Sequence, residues 1–118
     1  MTIFKNSKWI TPELKIEPEV RKGAGYLRTK FTCGGKEVKL YATAHGLYEV
    51  RINGECVSGA RLTPGCDAYD KRLQYQCIDI SGLVNNGTNE ILVTLGDGWY
   101  RGCNGIDGIR NLYGADIS

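Results

Sequence analysis

At 118 residues the chain suits one domain, and 42% hydrophobic with 24% charged residues is an ordinary balance for a globular core. A net charge of +2 with scattered basic residues gives no phosphate-gripping run, which argues against nucleic-acid binding. No apolar stretch approaches the roughly 18 residues a membrane span needs, and the start MTIFKNSKWITP lacks a secretory apolar region, so a cytoplasmic location with no membrane partner is expected.

Residues 1–25 are weakly patterned and contain Pro12 and Pro18, so they are expected to form an irregular or edge segment. From Tyr26 the period becomes two. YLRTKFTC places Leu27, Thr29, Phe31 and Cys33 on one face of a strand. EVKLYATAHG repeats the pattern with Val38, Leu40, Ala42 and Ala44, and LYEVRI follows with Tyr48, Val50 and Ile52. Asn53-Gly54 then gives a two-residue hairpin signal, because both central positions of a type I′ turn need positive φ. Glu55-Cys56-Val57 begins the return strand, and Pro64-Gly65 marks a second turn. LQYQCIDIS is a further strand, SGLVNNGTN a loop, and EILVTLG a strongly apolar strand. The segment GDGWYRGCNG follows, and GIRNLYGADIS closes as another extended piece.

Helix periodicity is nearly absent. About seven short strands separated by turn signals predict an all-β chain: an antiparallel β-sandwich over residues 26–118, cut short at its C-terminal end.

Five cysteines, Cys33, Cys56, Cys66, Cys77 and Cys103, form no C-x-x-C pair. With His45 as the single histidine they offer no zinc pattern, and free core or half-buried thiols are expected. Asp67 and Asp70 are the candidates for a glycosidase-type acid pair, but their turn-rich setting favours a surface loop. No catalytic residue is therefore assigned. Calcium could use loop carboxylates such as Asp97 and Asp107, yet no spacing is diagnostic, so no metal or cofactor is assigned. His45, before Gly46 and without an acid nearby in sequence, is expected to be structural. The binding candidates are Asp97, Trp99, Tyr100, Arg101, Asn104 and Asp107. Sugars present C–H faces to aromatic rings and hydroxyls to planar polar groups, and this segment supplies both. The alternative is structural: Trp99 plugs the end of the sandwich while Arg101 hydrogen-bonds loop carbonyls.

The stretches LYATAHGLYEVRINGECV, LTPGCDAYDKRLQYQCIDIS and NEILVTLGDGWYRG together resemble the amino-terminal β-sandwich domain of bacterial α-L-rhamnosidases, glycoside hydrolase family 78. The resemblance implies a jelly-roll-like fold preceding a separate (α/α)6 catalytic barrel, which carries the acid and base carboxylates and hydrolyses terminal α-L-rhamnose with inversion. It implies a non-catalytic module that supports the barrel, its partner in the same native chain, and helps recognise L-rhamnose or rhamnosides. The alternatives are a free-standing carbohydrate-binding module and a purely structural interdomain unit. Cys66 after T-P-G and Cys103-Asn104-Gly105 after W-Y-R-G depart from the family pattern.

Overall fold

The computed structural model describes residues 4–12, 24–59, 62–65, 71–101 and 118, with Trp99 and Arg101 described by backbone alone. Six strands and one helical turn are present among them: β1 (Gly25–Cys33), β2 (Lys39–Ala42), β3 (Leu47–Ile52), β4 (Glu55–Cys56), β5 (Gln76–Asp79), β6 (Gly87–Gly96) and α1 (Gly98–Arg101). All pairings are antiparallel. One sheet has the order β1-β6-β3-β4 and the other pairs β2 with β5. The chain passes back and forth between the two sheets, and their inner faces share one core. The fold is an antiparallel β-sandwich.

Register explains that core. β6 lies between β1 and β3, so residues pair across three strands. Leu27 and Val50 both oppose Val93, Thr29 and Ile52 both oppose Ile91, and Gly25 and Tyr48 both oppose Leu95. Tyr48, Val50, Ile52 and Leu95 are buried, with Leu27, Phe31, Ile91 and Val93 half-buried around them. From the other sheet come Leu40, Ala42 and Ile78, with buried Ile80 just beyond β5. The alternation in the sequence thus sorts one side of each strand inward, as the pleat requires. Tyr48 ties the layers together: its hydroxyl donates to the Gln76 side chain and lies 3.4 Å from the Ala42 carbonyl oxygen. Burial pushes its phenol up to about 12, so it remains a neutral donor.

The Asn53-Gly54 hairpin forms as expected, with φ of 51° and 85° at its two central residues. The turn at Pro64-Gly65 also forms: Gly65 has φ of 114°, and Thr63 forms an isolated bridge with Tyr48. Three expectations are corrected. β6 begins at Gly87 rather than Glu90, because Asn89 points into the interior and is satisfied there. Helix periodicity is nearly absent from the sequence, yet the segment after β6 begins with a helical turn. Among the described cysteines, Cys56 and Cys77 are exposed free thiols rather than core or half-buried ones, and Cys33 is half-buried. The expected final strand, GIRNLYGADIS, lies outside the described residues except for Ser118, as do Cys66 and Cys103.

Asn89 shows how a polar residue enters the core. It is 1% exposed. Its Oδ1 accepts from the Asn85 amide at 2.6 Å and from Asn53 Nδ2 at 2.9 Å. Its Nδ2 donates to the carbonyls of Asn85 and Gly87, at 2.9 and 3.1 Å. Asn53 completes the knot: its Nδ2 also reaches the Leu83 carbonyl, and its Oδ1 accepts from the Glu90 amide. The hairpin tip, the loop before β6 and the start of β6 are thereby locked together.

Candidate functional site

The aromatic residues of three separate segments converge at the end of the sandwich where β2 turns into β3. His45 occupies that connection, followed by Gly46 at φ 125°. Its backbone pairs with that of Ser118, amide to carbonyl at 2.8 Å and the reverse at 3.3 Å. Its Nδ1 lies 3.1 Å from the Ser118 hydroxyl oxygen. Trp9 stacks on the imidazole with centroids 3.8 Å apart and planes inclined by 21°. Tyr100 stacks at 4.8 Å and 16°. Two large rings cannot share one face of an imidazole at these distances, so His45 lies between them. Burial disfavours the imidazolium and lowers the His45 pKa below its ordinary value. Trp9 is 54% exposed, which leaves aromatic surface open beside the stack.

α1 delivers Tyr100 to that stack. Gly98 begins the turn with φ of 54°, and a Cβ there would lie 2.6 Å from Leu47 Cγ. Only glycine fits both the backbone conformation and this close approach to β3. The glycine requirement at Gly98 is therefore internal to the fold.

A second aromatic group sits on the outer side of the β2–β5 sheet. Tyr41 and Tyr75 lie 6.5 Å apart, and Phe4 meets Tyr75 edge-on at 5.7 Å. A hydrogen bond to Cys77, with a Coulombic contribution from the same residue, raises the Tyr41 phenol pKa. Phe4 and residues 7–10 border a cavity of about 350 Å³ that is also lined by strand residues of both sheets.

Of the six binding candidates, the structure places Tyr100 in the stack and Asp97, half-buried, in the link between β6 and α1. The backbones of Trp99 and Arg101 belong to α1, but the directions of their side chains lie outside the described residues. Asn104 and Asp107 lie outside them as well, as do Asp67 and Asp70. Sequence reasoning missed Trp9, whose segment has no periodicity to announce it. It also missed that His45, structural in its stacking, bridges two aromatic rings.

Four of the described carboxylates, Glu37, Glu49, Asp79 and Glu90, are committed elsewhere. Glu90 pairs with Arg28 at 2.7 Å, Glu49 with Arg51 at 3.1 Å and Glu37 with Lys39 at 3.6 Å. Hydrogen bonds from Ser81 hold the Asp79 carboxyl below its ordinary value, the opposite of what a general acid needs. No group of three or more His, Cys, Asp or Glu among the described residues could hold a metal ion.

Comparison with known proteins decides the family. Residues 35–118 match the family model for the α-L-rhamnosidase N-terminal domain. The chain belongs to that family. It is 41% identical over 92 residues to an α-L-rhamnosidase of Streptomyces avermitilis, a stretch covering 75% of this chain and 9% of that protein. The α-L-rhamnosidase N-terminal domain fold is also seen by superposition. The crystal structure of native α-L-rhamnosidase from Aspergillus terreus matches with a TM-score of 0.84 at 36% identity, covering 91% of this chain and 13% of that one. The Streptomyces avermitilis enzyme complexed with L-rhamnose matches at 0.73 and 39% identity, covering 78% and 9%. The chain therefore spans about a tenth of the length of the rhamnosidases it resembles.

Proposed function

We propose that this domain is the non-catalytic N-terminal module of an α-L-rhamnosidase, supporting an (α/α)6 catalytic barrel and taking part in rhamnoside recognition. The observation that carries this reading is the match over residues 35–118, joined to a superposition that covers nearly all of this chain and a small part of a whole rhamnosidase. Chemistry agrees on the non-catalytic side. Inverting hydrolysis needs two carboxyl groups across a cleft, one of them with a raised pKa. Among the described carboxylates, Glu37, Glu49 and Glu90 instead form surface ion pairs and Asp79 accepts from Ser81.

For recognition, the exposed Trp9 ring beside His45 and Tyr100 gives a flat apolar face of the kind that packs on the C–H side of a sugar. Trp9 thereby joins Trp99 as a candidate for the platform. The test is a titration of the purified chain with L-rhamnose, followed by NMR at the ring resonances. Saturable shifts at Trp9 and His45, lost in Trp9→Ala, are expected. A folded chain without such shifts would leave a structural module only.

A further inference from the structure

We propose that the cavity of about 350 Å³ beneath residues 4–10 is a binding site for a planar aromatic molecule bearing a phenolic hydroxyl. The proposal rests on the cavity alone and stands whether or not Trp9 takes a sugar.

The walls decide the chemistry. Leu27, Leu40, Ala42, Val50, Val93 and Leu95 line the cavity from both sheets. None carries a side-chain polar atom. A sugar pressed against these six residues would leave the hydroxyls on that side without partners, each costing about 1–3 kcal/mol. The apolar walls thus disfavour the ligand class expected on the outside of the domain. They suit a ring system, since an apolar cavity of about 150 Å³ is enough to take benzene. The present volume is more than twice that and has room for two fused rings.

The entrance favours aromatic over alkyl occupants. Phe4, Trp9 and Tyr41 also border the cavity. Rings meet such neighbours edge-on or in offset stacks, which contribute about 0.5–1.5 kcal/mol per pair beyond the area buried. Trp9 and Tyr41 are 54% and 41% exposed, so their rings retain uncovered surface. Ser7, Lys8, Tyr48 and Ser118 add polar groups to the lining, and Thr43 supplies direction. Thr43 borders the cavity and donates its hydroxyl proton to the Gln74 carbonyl at 2.6 Å. Its oxygen keeps lone pairs that can accept from a phenolic O–H. A ring with a hydroxyl at one edge satisfies walls, entrance and rim together.

The probe is 2-naphthol, with 1-octanol and L-rhamnose as separate arms, followed by methyl NMR of Leu27 and Val93 and by tryptophan fluorescence. Saturable methyl shifts with 2-naphthol, and not with L-rhamnose, are expected. Ala42→Leu fills part of the cavity and should weaken binding at least tenfold without lowering thermal stability. Trp9→Ala leaves the walls intact and should weaken it severalfold, which keeps the test decisive should the first variant misfold. Absence of saturation, stronger binding of 1-octanol, or unchanged 2-naphthol affinity in both folded variants would overturn the proposal. L-rhamnose shifts confined to Trp9 and His45 would leave it standing.

Discussion

Replacing Asn89 with alanine should be among the most damaging single changes in the domain, although it deletes a polar side chain. At 1% exposure the amide makes four hydrogen bonds, two accepted and two donated. Deletion strands the Asn85 amide, the Asn85 and Gly87 carbonyls and one proton of Asn53 Nδ2. A buried group left unsatisfied costs about 1–3 kcal/mol. Asn53 and Asn85 are themselves exposed, so water can reach part of what is stranded. Two groups left effectively without partners then give about 3 kcal/mol, or roughly 12 °C in Tm for a chain of this size. Asn89→Asp retains the acceptors but loses both donors and turns a carboxylate toward two carbonyl oxygens. Its cost should grow as pH rises and the new carboxyl ionises. Thermal and urea unfolding at pH 4 and 7 measure both effects. A loss below about 1 kcal/mol for Asn89→Ala, or an Asn89→Asp variant equally stable at both pH values, would refute the role given to this knot.

Three further outcomes follow from the geometry. Burial lowers the His45 pKa, so the unfolded chain binds a proton more readily than the folded one, and folding stability should fall as pH drops below 6.5. His45→Phe keeps a ring in the stack and should remove that slope; because this is the only histidine, one NMR resonance follows the titration directly. Gly98→Ala meets Leu47 and an unfavourable φ, and should cost about 2 kcal/mol in urea unfolding while releasing Tyr100 from His45. Arg28→Ala breaks an ion pair whose side chains are 68% and 33% exposed, and should change stability by less than about 0.5 kcal/mol in the same assay.

Much of the fold is legible in the sequence for a plain physical reason. Where a strand has one wet face and one dry face, alternation records it: Tyr48, Val50 and Ile52 are buried as their spacing demands. Asn53-Gly54 records its turn through the φ values that only a few residues tolerate. Legibility stops where a residue's partner is distant. Asn89 looks like loop sequence until Asn53, 36 residues earlier, is seen to satisfy it. α1 is too short for helical periodicity and depends on a glycine fitted against Leu47. The aromatic stack joins Trp9, His45 and Tyr100 from segments that share no local pattern. Sequence reasoning looked for the platform in GDGWYRGCNG because composition concentrates there; the fold adds Trp9, from the other end of the chain, on the same His45 ring that Tyr100 stacks on.

The most direct test of the functional account is one titration of the purified chain with an aryl α-L-rhamnoside, followed by NMR with released phenol recorded in the same sample. The account predicts saturable shifts at Trp9, His45 and Tyr100 and no released phenol. Turnover of the rhamnoside by the chain alone, or an unshifted spectrum of the folded protein at saturating ligand, would contradict it.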